Sequence, residues 1–366
     1  MENKKIYVTQ SLLPAFDDYI EEIRDIWDSH MLTNKGEKHK ELNERLIRYL
    51  GVNMGSLFVN GHLGLESVLE SYKLEGEIIT TPFTFPSTAH AIMRQGCKPV
   101  FCDIKADDYT MDESQIESLI TDKTTAILPV HLFGHPCNVK KIEEIAKKHN
   151  LKVIYDAAHV FGVTIDGVGI GNFGDASMFS MNATKVFNTI EGGLITFNDP
   201  KLAEQLDLIK YYGIKKPDSI VYYGSNFVMN EFQAAMGLCN LPLVDAEIQK
   251  RKAVALRYLD LLGNIDSLIL PDYKSNIRYN YSYFPVVFDH YKHSRDEIFT
   301  SLEEAGIYAK KYFYPLVTDY ECYASEEFNR NLPIAKKIAE NIICLPIYGE
   351  LNFTDIDRIV AVILQD

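Results

Sequence analysis

Hydrophobic and polar positions along the chain follow two periods. Apolar residues recur at three- and four-residue spacing in two N-terminal segments. This predicts amphipathic helices over Ala15–Ser29 and Lys38–Leu50, the second stopping at Gly51. Short β-rich runs follow at Ser56–Val59, Glu77–Thr80, Pro99–Ile104, Ala126–Leu132 and Leu151–Tyr155. Between most of them lie helical stretches, Leu63–Tyr72, Ser87–Gln95, Asp112–Ile120 and Val139–His149. Such alternation predicts βαβ units, a mainly parallel sheet and a three-layer αβα domain. From about Phe227 the pattern changes. A long helical segment runs through NEFQAAMGL and, after Pro242, through DAEIQKRKAVALRYLDLLG. A β-rich stretch (YNYSYFPVVF), a helix (SRDEIFTSLEEAG) and a closing helix (Thr354–Leu364) complete the chain. This predicts a large α/β domain over residues 1–245 and a smaller α+β domain over 246–366.

Composition narrows the partners. The 366 residues are 46% hydrophobic and 24% charged, as in ordinary globular proteins, and long enough for a large core. A formal net charge of −14 argues against nucleic acid or an anionic membrane as partner, because both select basic surfaces. An anionic small substrate would need a local positive site. Lys215-Lys216 and Lys310-Lys311 are candidates, although adjacent lysines are more often plain surface. The six cysteines form no CxxC pair and lie partly in apolar runs such as KPVFCDI and NIICLPI. They read as buried thiols of a reducing compartment, with no disulfide framework and no metal site. The start, MENKKIYVTQ, has no apolar leader pattern, so a cytoplasmic location is expected.

One motif misleads. Gly169, Gly171 and Gly174 match GxGxxG, but the dinucleotide fingerprint needs a core strand before it and a helix after it. Here VTIDGVGI reads as a hairpin and DASMFS as a strand. A different constellation carries chemistry. The run LKVIY leads into Asp156, and ligands of open parallel sheets bind beyond the carboxyl ends of the strands. A lone aspartate there would read as a turn residue. Lys185 follows another strand-like run, SMFS, which can end at the same edge. A carboxylate to pair with a cationic ring and an amine to form a Schiff base are what pyridoxal phosphate requires. The turn after SLFV, containing Gly61 and His62, lets backbone approach, and the N–H groups of the following helix can receive a phosphate. Ser180 offers a hydroxyl to the same group. Phe85, in TTPFTFPSTAH, reads equally as a cover for the ring or as a core phenylalanine.

With these elements in this order, the chain resembles the nucleotide-sugar aminotransferases (DegT/StrS-like) of pyridoxal-phosphate fold type I. The resemblance runs through LTNKGEKHKELNERLIRYLGV, NGHLGLESVL, TTPFTFPSTAHAI, LPVHLFGHPCNVKKIEEIAKKHNLKVIYDAAHVFG, FGDASMFSMNATKVFNTIEGG, NEFQAAMGL, GIYAKKYFYPL and LPIYGEL. It implies a homodimer with shared active sites, Lys185 as the lysine that bonds the cofactor aldehyde, and Asp156 as the partner of the ring nitrogen. His159 is implied at the ring hydroxyl, Phe85 on the ring face, and Ser180, Gly61 and His62 at the phosphate. Asn226 is implied to reach the phosphate of the neighbouring subunit. Asn182, Lys310 and Tyr312 are candidate substrate contacts. The implied activity is transfer of the amino group of L-glutamate to a nucleotide-linked keto-6-deoxy sugar, within surface-polysaccharide (O-antigen) biosynthesis. VTQSLLP, SHMLTNKG and YDAAHVFG look most like the branch that makes dTDP-4-amino-4,6-dideoxyglucose, with amination at C-3 as the alternative.

Several positions depart from the family pattern. His62 replaces a threonine of the phosphate turn, Asn182 a histidine before the lysine, Val228 a basic residue and Lys310 a frequent arginine. They motivate a second expectation, a cofactor-binding protein with little activity. Sugar dehydratases of the superfamily carry histidine where Lys185 stands, which argues against dehydration.

Overall fold

The computed structural model describes residues 5–325, 328 and 331–365. Its centre is a seven-stranded sheet. The strands are β1 (Met54–Phe58), β2 (Glu77–Thr80), β3 (Lys98–Phe101), β4 (Thr124–Ile127), β5 (Lys152–Asp156), β6 (Ala176–Ser180) and β7 (Gly193–Phe197). Their order is β1-β7-β6-β5-β4-β2-β3. The pairs β6–β5, β5–β4, β4–β2 and β2–β3 are parallel. Strand β7 is antiparallel to β6 and to β1. The mainly parallel sheet expected from the sequence is therefore present, with one reversed strand inside it.

Side chains on successive strand residues point to opposite faces, and here both faces are dry. Leu57, Ile79, Ile127, Val153, Tyr155, Phe179 and Leu194 join one core with Leu42 and Leu46 of α1 (Glu37–Leu50). Their neighbours Phe58, Ile78, Ala126, Ile154, Met178 and Ile195 join another with Leu65, Val68 and Leu69 of α2 (Gly61–Ser71). That second core also takes Ala91 and Ile92 of α3 (Pro86–Arg94) and Leu202 and Leu206 of α4 (Pro200–Lys210). Helices on both faces explain why these strands read as apolar runs rather than as alternating ones.

Local chemistry sets the ends. Helix α1 stops at Gly51, whose φ of 62° is left-handed, with its N–H returned to Arg48. The run Ala126–Leu132 is strand only to Ile127. Pro129 has no N–H to give the ladder, and its carbonyl accepts from the Asp156 N–H instead. Helix Asp112–Ile120 shrinks to Ile116–Leu119, because the Asp112 side chain accepts from the N–H and hydroxyl of Ser114 in a competing turn. In YNYSYFPVVF only Phe284–Phe288 is strand. Helix α4 was not anticipated, although Asp199 capping Lys201 and Pro200 at the first position mark its start. GxGxxG falls in a hairpin (Thr164–Ile165 with Val168–Gly169) and a single 3₁₀ turn before β6, so it has neither the core strand nor the helix a nucleotide would need. Four cysteines are buried, whereas Cys239 is partly covered and Cys322 exposed, correcting the expectation that they lie inside. Among the described residues no helix is long and apolar enough to cross a membrane.

Beyond the sheet, helix α5 (Val244–Leu262) leads to a small antiparallel sheet of Leu268–Ile269, Phe284–Phe288 and Ile342–Leu345. Arg251 of α5 is fully buried. Its Nε donates to Glu247 at 2.6 Å and its Nη1 to the Ile347 carbonyl at 3.2 Å. Glu247 in turn accepts from the Gly349 N–H at 3.0 Å. Removing one partner of such a pair strands the other charge out of water. Arg251→Ala is expected to destabilise the fold by about 3–5 kcal/mol, read as an earlier midpoint in denaturant unfolding, whereas Lys250→Ala on the exposed side leaves the midpoint nearly unchanged.

Candidate active site

The carboxyl ends of β1, β5 and β6 lie at one edge with the start of reversed β7, because parallel neighbours finish where an antiparallel strand begins. A cavity of about 570 Å³ opens there. Gly61, His62, Phe85, Asp156, His159, Ser180, Asn182, Lys185 and Tyr312 all line it, as do Tyr283 and Glu191. The other two candidates lie elsewhere. Lys310 is exposed and pairs through its backbone with Cys344. Asn226 is exposed and bridges to Tyr211. In the lysine runs, Lys215 pairs with Glu204 and Lys311 with Asp296, so neither amine forms an isolated positive site.

Lys185 sits in the turn after β6, its N–H donating to the Asn182 carbonyl at 2.9 Å. Its amine lies 5.9 Å from the centre of the Tyr283 ring. Burial pushes this amine down to about 8, opposed by attraction to the Asp156 carboxylate. Asp156 is 5% exposed, and burial raises its carboxyl above the usual range. Its Oδ2 accepts from the Thr88 hydroxyl at 2.8 Å and its Oδ1 from the Ala158 N–H at 3.1 Å, both of which favour the charged form. His159 is held well below its ordinary range by burial and then by Lys185, so the ring is neutral. Its Nδ1 accepts from the Phe133 N–H at 3.3 Å, which leaves Nε2 as the protonated nitrogen and a donor.

The opposite end of the cavity suits an anion. Asn60 caps α2 by accepting from the Leu63 N–H, so the first-turn N–H groups of Gly61 and His62 stand at the cavity wall. A Cβ at 61 would stand 2.7 Å from Met178 Sδ beside Ser180, so a larger residue there needs the Met178 side chain to move. Glycine is required at 193, where a Cβ would meet the backbone carbonyl carbon of Asn60 at 2.5 Å. The His62 side chain turns back to Ser87 Oγ (2.8 Å) and to Glu66 (2.9 Å), tying α2 to α3. Phe85 is 59% exposed at the start of α3, whereas Phe83 is wholly buried. Phe83 is thus the core phenylalanine and Phe85 the one presented to the cavity. An amine, a buried carboxylate, a fixed imidazole donor and an N–H cradle match the aldehyde, ring nitrogen, ring hydroxyl and phosphate of pyridoxal phosphate. Thr88, Tyr283 and Glu191 were not singled out from sequence. Thr88 lies in the first turn of α3, but nothing in its local pattern announces Asp156 as its partner.

Residues 16–364 match the DegT/DnrJ/EryC1/StrS aminotransferase family. A dTDP-4-amino-4,6-dideoxy-D-glucose transaminase of Escherichia coli is 40% identical, the alignment covering 100% of this chain and 99% of that protein. The protein of the same name from Shigella dysenteriae is 38% identical, over 99% of both chains. A crystal structure of DesI with its TDP-sugar product superposes with a TM-score of 0.94 at 29% identity, covering 99% of this chain and 93% of that one.

The lowered lysine carries a testable consequence. Below about pH 8 the Lys185 amine is mainly protonated and unreactive, and above it mainly neutral and nucleophilic. Competitive labelling of the cofactor-free chain with an aldehyde probe should show Lys185 modification rising with a midpoint near 8, while exposed lysines rise near their ordinary value. Asp156→Asn removes the carboxylate that favours the charged amine and should move the Lys185 midpoint lower.

Proposed function

The chain belongs to the DegT/DnrJ/EryC1/StrS aminotransferase family, and from that membership we propose that it moves the amino group of L-glutamate to a nucleotide-linked keto-6-deoxy sugar. It is an enzyme of the transaminase class, and its cofactor is pyridoxal phosphate. The observation that carries the reading is the meeting of Lys185, Asp156, His159 and the first turn of α2 in one cavity. Bound there, pyridoxal phosphate supplies an aldehyde for an amine and a cationic ring that accepts the electron pair left when a Cα proton departs.

The protein residues do the rest. Gly61, His62 and Ser180 hold the phosphate through N–H groups and a hydroxyl. Asp156, clamped by Thr88 and Ala158, keeps a proton on the ring nitrogen. His159 donates from Nε2 to the ring oxygen, and Phe85 covers a ring face. Lys185 would bond the aldehyde, and its Nζ is the group placed to take a proton and return it. A base so positioned contributes about 10²–10⁴-fold, and an amine near pH 8 is suited to both directions of transfer.

The acceptor we propose is dTDP-4-keto-6-deoxyglucose, giving dTDP-4-amino-4,6-dideoxyglucose. Support comes from the full-length relatives of Escherichia coli and Shigella dysenteriae, whose names state that product. The same reading places the reaction in the cytoplasm, feeding surface polysaccharide such as O-antigen. It also takes residues 1–245 as the cofactor-binding domain and 246–366 as the small domain, with the turn Leu241–Leu243 before the division. We further propose a homodimer. Asn226 lies outside its own cavity, and the nearby Ile220, Val221 and Tyr223 are 72%, 53% and 100% exposed, an apolar surface that a second copy would cover.

Purified protein loaded with pyridoxal phosphate should show a lysine-bound absorbance that Lys185→Ala removes, and L-glutamate should convert the wild-type spectrum to that of pyridoxamine phosphate. A spectrum unchanged by glutamate would sink the transaminase assignment. A panel of 3-keto and 4-keto nucleotide sugars then reads the position of amination. If Asn226 serves the partner's site, mixing the impaired variants Lys185→Ala and Asn226→Ala should regain activity, because one mixed site then carries both native residues. Monomers on light scattering, or no regain on mixing, would refute the shared site.

A further inference from the structure

Asn182 stands where the family pattern has histidine, and its bonds reach three parts of the cavity wall. Its Oδ1 accepts from the Thr184 N–H at 3.0 Å and the Thr184 hydroxyl at 2.8 Å, closing a tight turn. Its backbone carbonyl accepts from the Lys185 N–H at 2.9 Å, so the same turn aims the lysine. Its amide Nδ2 donates to Glu191 Oε1, across the connection between β6 and β7. Glu191 lies immediately before Gly192-Gly193, its carbonyl accepts from Gln233 at 2.7 Å, and its side chain lines the cavity. Among the described residues its second oxygen, Oε2, has no partner.

We propose that Asn182 is a positioning residue with two separable tasks: its side-chain oxygen sets the turn that aims Lys185, and its amide holds the Glu191 carboxylate on the cavity wall as the acceptor for a hydroxyl of the sugar substrate. This rests on the aminotransferase reading above. The chemistry is directional. An amide donates to a carboxylate without itself ionising, so Glu191 is held in the same way across the working pH range, which an imidazole titrating near neutrality does not ensure. A carboxylate held with one oxygen open accepts sugar hydroxyls and repels the two carboxylates of glutamate. The pair therefore belongs to the sugar half of the reaction, whereas the turn serves both halves.

Three variants of the full-length, cofactor-loaded protein separate these tasks. Asn182→Asp keeps the oxygen that closes the turn but replaces the amide donor with a second anion facing Glu191. Asn182→Ala removes both. Glu191→Gln keeps the contact to the amide and loses the charge. Measured are the lysine-bound absorbance without substrate, the conversion rate at saturating glutamate, and KM for the nucleotide-linked keto sugar. Asn182→Ala should lose part of the absorbance and slow the glutamate half by about tenfold, below the roughly hundredfold of a 1 Å misplacement. Asn182→Asp should restore both. All three variants should raise the sugar KM by about tenfold, the size of one lost charged hydrogen bond. The proposal is overturned if Asn182→Asp is as slow as Asn182→Ala with glutamate, or if the sugar KM is unchanged in Asn182→Asp and Glu191→Gln. Wild-type protein that ignores glutamate would instead refute the aminotransferase reading itself.

Discussion

Charge taken out of water at one edge of the sheet constrains the rest of the site. Lys185 and Asp156 both lose solvation there, which drives the amine down and the carboxyl up. Each loss of solvation disfavours the charged form, and their mutual attraction only partly offsets it. Neighbouring groups are arranged around that conflict. Thr88 and the Ala158 N–H hold both oxygens of Asp156, so the carboxylate does not depend on Lys185 for its hydrogen bonds. His159 stays neutral and presents a donor rather than a second cation. Among the described residues the amine is left without a hydrogen-bond partner, as the proposed role in giving and taking a bond and a proton requires.

Reversed strand β7 is the second constraint. In an all-parallel sheet, every strand would deliver its carboxyl end to the cavity. By running backwards between β1 and β6, β7 delivers its amino end instead, bringing Glu191 beside the lysine turn. Its first residue pairs with Phe58 on one side and Ser180 on the other, so the anion cradle and the lysine turn are indexed to one residue. That closeness is possible because Gly193 carries no side chain against Asn60. The geometry of this cavity is a property of strand register as much as of the residues themselves.

Much of the site was legible along the chain. Asp156 and Lys185 follow β-rich runs, and the rule that ligands lie beyond the carboxyl ends of strands brings them to one place from sequence alone. Phe85 was ambiguous, because exposure depends on how α3 packs and not on its neighbours in sequence. Thr88 and Tyr283 are unmarked in the sequence for a related reason: a hydroxyl or a ring has no local pattern that announces a partner in a distant segment. The run Ala126–Leu132 reads as one strand because its apolar residues continue past Pro129, whereas β4 ends at Ile127 and beyond Pro129 the run pairs with its neighbour only through the single bridge of Val130 to Asp156.

The sequence by itself determined the layer architecture, because the covering of both sheet faces is written into apolar runs and helical periods. It also determined the amine and the carboxylate, which the chemistry of an aldehyde cofactor requires as residue types. Tertiary structure alone decided that β7 runs backwards, that Phe85 rather than Phe83 meets the cavity, and that Asn182 is bonded to Glu191. Periodicity records which face of an element is dry. Strand direction, burial depth and the partners of a polar side chain depend on segments far apart in the chain, and no local pattern encodes them.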